Sequence, residues 1–249
     1  MEKEKPFKIA KAILESNKTV VLTGAGISTE SGIPDFRSPG GIWSKFDPSV
    51  MTSYMLSSNP VYFYRKALAM LGFFNEIKNV RPNRAHYILA EMENDRLISC
   101  IITQNIDGLH IKAGSRRVYE VHGNLREGYC MSCDSKVSLN ILIDKVKRNN
   151  IPPLCDNCGG VLRPSVILFG DELPKCFVDA TKEVRSCSLL LVIGSSLEIT
   201  PVNSLPGLTE KYIILNKSRT FFDSNACLVW NEKAGVALEA IYNEIKKLS

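Results

Sequence analysis

The chain's 249 residues correspond to one large domain or two unequal ones, and 45% hydrophobic with 23% charged residues excludes collagen-like, mucin-like and wholly disordered classes. With 31 basic against 26 acidic residues the net charge is +5, which permits an anionic ligand without demanding nucleic acid. No apolar run approaches the ~18–20 residues that span a bilayer, and the opening Met-Glu-Lys-Glu-Lys-Pro-Phe lacks the apolar core of a secretory signal, so the expectation is a cytoplasmic protein with no membrane contact.

Phe7, Ile9, Ala10, Ile13 and Leu14 have helical spacing, which Ser16-Asn17 interrupts before the β-branched run Thr19-Val20-Val21-Leu22. That strand runs directly into Thr23-Gly24-Ala25-Gly26, and a loop rich in Ser, Pro and Gly continues to about Ser49. Gly24, Gly26 and Gly32 sit where a first strand hands over to a helix, a turn whose bare N–H groups suit a phosphate. A tight turn that simply needs glycine is the competing account. Thr29 stands at the third glycine position of a dehydrogenase fingerprint, no acidic residue closes a second strand ~20 residues on, and Gly-Lys-Ser/Thr is missing. A dinucleotide is compatible with this loop, whereas a hydride-transfer enzyme is not favoured.

Arg81 to Arg96 reads as a helix with Ala85, Ile88, Leu89 and Met92 on one face, followed by the strand Ile98 to Thr103. At that strand's C-terminal end, where open α/β sheets bind ligands, Gln104, Asn105 and Asp107 crowd three hydrogen-bonding side chains into four positions. An Asx-turn with a helix cap explains the same run. Of the three histidines, His86 reads as a surface or packing residue and His110 as structural. His122 precedes Gly123 and is open to two roles, since a lone histidine is commonly structural but its ordinary pKa suits a general base.

Between Tyr119 and Pro164 the pattern changes to turn residues and paired cysteines around one helical stretch, Leu139 to Arg148. Cys130, Cys133, Cys155 and Cys158 form two Cys-x-x-Cys knuckles, which together supply the four thiolates of a closed, tetrahedral, structural zinc site. Two such pairs fit a zinc ribbon better than a redox dithiol, and the surrounding residues do not favour a nucleic-acid ribbon. Cys100, Cys176, Cys187 and Cys227 read as buried or incidental thiols. Short apolar runs then recur at Val166–Phe169, Leu189–Ile193, Tyr212–Leu215 and Cys227–Trp230, the first three separated by helical stretches, and Ala237 to Leu248 is an amphipathic closing helix. The pattern predicts an α/β fold: an open, mostly parallel Rossmann-like sheet with helices on both faces, interrupted by a small zinc-ribbon insertion. Residues 1–118 and 165–249 would form the large domain and 119–164 the small module, with part of 36–80 packing on it.

Gly24-Ala25-Gly26-Ile27-Ser28 followed by Ser31-Gly32-Ile33-Pro34-Asp35-Phe36-Arg37 resembles the signature of the sirtuins, the NAD-dependent protein deacylases. Gln104-Asn105-Ile106-Asp107 resembles a second signature of that family, and His122-Gly123 its catalytic histidine. The resemblance spans about residues 20 to 216. It implies NAD as co-substrate of the large domain, one structural zinc in the module and an acyl-lysine protein or peptide as partner. It further implies His122 as the base, Asn105 ordering a water or ribose hydroxyl, Gln104 on the ribose, and Ile106 and Asp107 on nicotinamide. Gly24, Ala25, Gly26, Thr29, Asp35 and Arg37 would surround the diphosphate and neighbouring groups, with Phe36 guarding the ribose. Gly194, Ser195, Ser196 and Asn216 match family positions for the adenosine half, and Ala234 would offer only backbone contact to adenine.

Ile167, Phe169, Gly170 and Asp171 resemble the family's substrate segment, in which an extended peptide adds a strand. This chain has Gly170-Asp171 where the family usually has Gly-Glu. Members that remove acidic acyl groups carry Tyr-x-x-Arg, and the matching stretch Tyr64-Arg65-Lys66-Ala67 ends in alanine, which favours acetyl or other non-acidic acyl groups. The implied activity is deacylation of protein lysines. Protein mono-ADP-ribosyl transfer and a non-catalytic NAD-sensing or nucleic-acid-binding zinc module are the alternatives.

Overall fold

In the computed structural model, which describes residues 4–77 and 79–248, the opening pattern is α1 (Lys5–Leu14), entered through Pro6 in its first turn. β1 (Thr19–Thr23) follows and is buried along its whole length, as a strand covered on both faces must be. The glycine loop then forms a 3₁₀ turn, Ala25–Ser31, instead of an α-helix. α2 (Ser53–Ser58) and the 18-residue α3 (Pro60–Ile77) come next. α4 (Arg84–Asn94) starts three residues later than the periodicity suggests, because Asn83 caps it: the Asn83 side chain accepts from Ala85 N–H, and His86 Nδ1 accepts from Asn83 N–H at 3.3 Å.

β2 (Cys100–Thr103), the short α5 (Leu109–Lys112) and β3 (Val118–Glu120) lead into the cysteine section. There β4 (Gly123–Cys130), β5 (Lys136–Ser138), α6 (Leu139–Lys147) and β6 (Leu162–Val166) make a separate antiparallel sheet of order β5-β4-β6. α7 (Cys176–Arg185), β7 (Leu189–Ile193), β8 (Tyr212–Leu215), β9 (Leu228–Trp230) and α8 (Ala234–Leu248) complete the chain. Between β7 and β8 the chain makes a 3₁₀ turn with Pro206 inside it, since proline has no N–H to extend an α-helix.

Among the described residues, six strands form one parallel sheet in the order β3-β2-β1-β7-β8-β9. Its strands alternate: Val21, Ile101, Leu191 and Ile213 face α1, α4 and α8, while Val20, Leu22, Ile102, Val192 and Ile214 face α7 and the turn at Val202–Leu208. A third core joins α3 to the cysteine module through Tyr64, Met70, Leu142, Ile143 and Val146. Tyr64 stitches the two, its buried hydroxyl donating to the Leu162 carbonyl at 2.5 Å. The open parallel sheet with its separate cysteine module is thus the architecture expected.

The apolar run Val166–Phe169 departs from expectation. Its neighbour Leu162–Val166 is the strand, and it pairs antiparallel with β4, outside the parallel sheet. Pro164 is tolerated there because β6 is an edge strand. β3 carries the large sheet to Glu120 and β6 continues to Val166, so the junctions expected near 118/119 and 164/165 both fall inside strands. No helix of the described residues is long and apolar enough to cross a membrane.

Candidate active site

The parallel sheet ends in a straight line. Glu120, Thr103, Thr23, Ile193, Leu215 and Trp230 are register partners in succession across its six strands. Each neighbouring loop therefore starts at the same level, and the strand order reverses between β1 and β7, where a crevice opens. A cavity of about 650 Å³ occupies this edge and extends between α3 and the segment after β6.

Gly24, Ala25, Gly26, Thr29, Asp35, Phe36, Arg37, Gln104, Asn105, Ile106, His122, Ile167, Phe169, Gly170, Asp171, Gly194, Ser195, Ser196, Asn216 and Ala234 all line that one cavity. Asp107 does not. It lies behind the wall, accepting Ser28 Oγ at 2.7 Å and Leu109 N–H at 2.8 Å, which is the Asx cap geometry. Burial pushes its carboxyl up, against the pull of those two bonds. Ser28 is the residue the sequence reading passed over: it also accepts Asn105 Nδ2 at 3.1 Å. Asn105 Nδ2 donates to the Gly24 carbonyl at 3.2 Å as well, so the side-chain oxygen of Asn105 is what it presents to the cavity.

The glycines have a packing reason besides ligand access. A Cβ on Gly26 would stand 2.8 Å from Gly194 Cα, so the β1 and β7 loops touch backbone to backbone at the crevice floor. Gln104 Nε2 donates to Ser195 Oγ at 2.8 Å and ties the β2 loop to the same floor. Above it, Arg37 Nε pairs with Glu198 at 2.9 Å across the cavity, each about 40% exposed. Asp35 accepts from Ser38 N–H and Oγ, which fixes the bend that carries Phe36. The Phe36, Trp43 and Phe169 rings follow one another at 5.2 and 6.2 Å, an aromatic screen from the glycine loop to the segment after β6.

His122 Nδ1 is 3.1 Å from the Gln104 carbonyl. A carbonyl only accepts, so Nδ1 carries the proton and Nε2 is left with its lone pair. Burial holds the ring below its ordinary pKa of 6.5, opposed by that bond, so the neutral form prevails at pH 7. The other two histidines are buried in the core and held uncharged by desolvation, His86 at about 4 and His110 well below 6.5. Their rings lie 4.9 Å apart, and His110 Nε2 meets Thr23 Oγ1 at 2.9 Å. His86 is thus packing, not surface. Unfolding frees all three to take up protons below about pH 6.5, so stability is full above that value and is lost as the pH falls toward 4. His86 alone should cost on the order of 2 kcal/mol by pH 5. Calorimetric midpoints are expected to drop between pH 7 and 5, and a flat profile over that window would contradict the assignment.

The four knuckle cysteines come together as a group, their Sγ atoms all within 4.8 Å of one another. Cys130 and Cys158 Sγ are 3.5 Å apart, and Cys133 and Cys155 Sγ 3.9 Å, near the ~3.8 Å edge of a tetrahedron with 2.3 Å zinc–sulfur arms. Ser132 and Gly160 N–H each point at a knuckle sulfur at 3.4 Å, the backbone support a thiolate needs. The donor set fits a closed structural zinc with no open position for substrate.

Of one further wall of the cavity, sequence reasoning singled out only Ala67. Phe63, Ala67, Met70, Leu71 and Phe74 lie at i, i+4, i+7, i+8 and i+11 on one face of α3 and are all buried. That spacing was the available signal.

The Sir2 family model matches residues 24–201. An "NAD-dependent protein deacetylase 2" of Caldanaerobacter subterraneus subsp. tengcongensis is 54% identical over 96% of this chain and 95% of its own length. An "NAD-dependent protein deacetylase" of Thermotoga maritima is 44% identical over 87% and 89% of the two chains. Among solved structures, a Sir2 protein with a deacetylated p53 peptide and 3′-O-acetyl-ADP-ribose superposes with a TM-score of 0.88 at 38% identity, covering 96% of this chain and 97% of that one. A Sir2 complex with p53 peptide and NAD⁺ gives 0.85 at 38% identity, covering 99% of both. By sequence match and by fold, the chain belongs to the Sir2 family.

Proposed function

We infer that the chain is an NAD-dependent protein-lysine deacetylase. The observation that carries this is geometric: a neutral histidine with a free Nε2, an oriented Asn105 and the residues Ile167, Phe169 and Gly170 open into one cavity of a Sir2-family chain. Relatives named as NAD-dependent deacetylases, and Sir2 structures holding NAD⁺, acyl-peptide or O-acetyl-ADP-ribose, support the same reading.

When bound, NAD supplies the ribose that accepts the acyl group and the nicotinamide that departs; with one water consumed, the products are nicotinamide, free lysine and O-acyl-ADP-ribose. The protein's part follows from its groups. Backbone N–H groups of the 3₁₀ turn and the Arg37 guanidinium suit the diphosphate, which would compete with Glu198 for Arg37. Gln104 and the Asn105 oxygen would orient the ribose and its water, Ile106 would flank nicotinamide, and Asp107 would act on it from behind, through Ser28 and Asn105. Gly194, Ser195, Ser196 and Asn216 would hold the adenosine half, with Ala234 at the adenine. His122 Nε2 would take a ribose hydroxyl proton, and the Phe36–Trp43–Phe169 screen would keep bulk water off the reacting bond. The substrate peptide would lie against Ile167, Phe169 and Gly170 at the cavity wall. Eight unbridged cysteines suit the reducing setting of the cytoplasm.

The α3 wall is apolar throughout, and among the described residues Ala67 and its neighbours there offer no cation. Uncharged acyl groups are therefore the substrates we propose. Mass spectrometry of an acetyl-lysine peptide should show loss of the acetyl group only with NAD, together with O-acetyl-ADP-ribose, while a succinyl-lysine peptide stays intact. An acetyl peptide left unchanged, with label from NAD retained on protein, would replace this reading with ADP-ribosyl transfer.

A further inference from the structure

Among the described residues, the most buried ion pair lies beside the substrate segment and is not explained by zinc or NAD. The side chains of Arg163 and Asp171 are only 8% and 13% exposed. Burying two charges is costly unless their geometry is good and the remaining donors and acceptors are used. Here the two terminal nitrogens are matched, Arg163 Nη1 donating to Asp171 Oδ1 at 3.1 Å and Nη2 to Oδ2 at 2.5 Å, while the buried Nε has no partner, so the guanidinium depends on this fork. Nη2 also reaches the Val166 carbonyl at 3.1 Å, and the guanidinium lies over the Tyr129 ring, 5.4 Å from its centroid.

Asp171 has a second task. Its Oδ2 accepts the Leu168 N–H at 2.7 Å, while its own N–H donates to the Leu168 carbonyl at 3.0 Å. Leu168 to Asp171 is thus a β-turn closed from both ends, with Gly170 at φ +86°, the left-handed residue a type II turn requires at its third position. On the other side Phe169 N–H donates to the Met51 carbonyl and its carbonyl accepts from Ser53 N–H, at 3.0 and 2.9 Å. Ile167 N–H donates to the carbonyl of His122 itself at 3.0 Å. The turn therefore sets where Ile167 and Phe169 stand relative to the catalytic base, and Arg163 on β6 anchors the turn through Asp171.

We propose that Arg163 and Asp171 are positioning residues for the acyl-peptide, acting through the Leu168–Asp171 turn and not through direct contact of the Asp171 carboxylate with the peptide. Both carboxylate oxygens are already occupied within the protein. The inference rests on the deacetylase reading and adds to it the source of peptide affinity.

Asp171→Asn keeps shape and loses the charge that holds Arg163; Asp171→Glu keeps the charge. For Asp171→Asn the peptide KM should rise about tenfold, with kcat and the KM for NAD within about twofold of wild type. Asp171→Glu should recover most of the lost peptide affinity. If Asp171→Asn does not fold, Arg163→Lys, which keeps a charge but not the fork, should shift peptide KM in the same direction by less. Fluorescence anisotropy of a labelled acetyl-lysine peptide gives a readout independent of turnover. Equal peptide binding by wild type and the variants would overturn this inference alone, as would a parallel loss in NAD KM and kcat. A wild-type chain that neither binds nor deacetylates the peptide would overturn the deacetylase reading and this inference with it.

Discussion

Replacing His122 with alanine is expected to lower deacetylation by roughly 10²–10⁴-fold while NAD affinity stays within about threefold. The ring is half-buried, its Nδ1 proton is committed to the Gln104 carbonyl, and Nε2 is its free lone pair in the cavity. Desolvation lowers its pKa, which favours the neutral form that accepts a proton. His86 and His110 cannot substitute, because both are buried in the core and absent from the cavity wall. The one hydrogen bond lost on truncation costs on the order of 1 kcal/mol, too little to unfold the domain. Single-turnover mass spectrometry, paired with calorimetric titration of NAD, checks both halves. Turnover above about a tenth of wild type would remove His122 as the base.

Removing zinc, by chelation or by Cys155→Ser, should abolish activity by a different route. Cys130 and Cys155 are buried in the core that α3 shares with Leu139, Leu142, Ile143 and Val146 of α6, and structural zinc contributes on the order of 10 kcal/mol or more to such modules. Once the knuckles open, β4 and β6 lose their hold on each other. β4 begins at Gly123, one residue past His122, and β6 ends at Val166, one before Ile167, so His122 and the segment from Ile167 are displaced together. The large parallel sheet should survive. Protease cleavage confined to residues 130–160 with loss of turnover is the expected pattern. Because no metal-bound water takes part, reconstitution with cadmium should restore activity to within a few-fold. A metal-free protein that stays folded and active would refute the structural role.

Much of this was legible in one dimension. Leu189–Ile193 and Tyr212–Leu215 are short, fully apolar runs, and a strand buried on both faces has little freedom to look otherwise. The knuckle cysteines were legible because thiolate spacing is local. Legibility failed where the deciding partner was distant in sequence. Val166–Phe169 reads as a strand until Asp171 takes the Leu168 N–H and turns the chain. Asp107 reads as a ligand or a cap with equal ease, and Ser28, 79 residues away, accounts for its retreat behind the wall. Apart from Ala67 the α3 wall stayed unread, because the outward positions of the helix also carry Tyr62 and Leu68, which blurs the period.

The line of register partners from Glu120 to Trp230 has a consequence for how this chain tolerates changes in length. Val121, Gln104, Gly24, Gly194 and Asn216 each extend the ladder one residue past that line by bonding to the neighbouring strand. An extra residue within any strand would push its loop outward by one ~3.3 Å step and turn its side chains to the opposite face. The same residue added in the connections that enter the strands, such as 15–18 or 209–211, changes only slack on the far side of the sheet. Five loops from five strands can therefore diverge in content one at a time, provided that none of them changes where it begins.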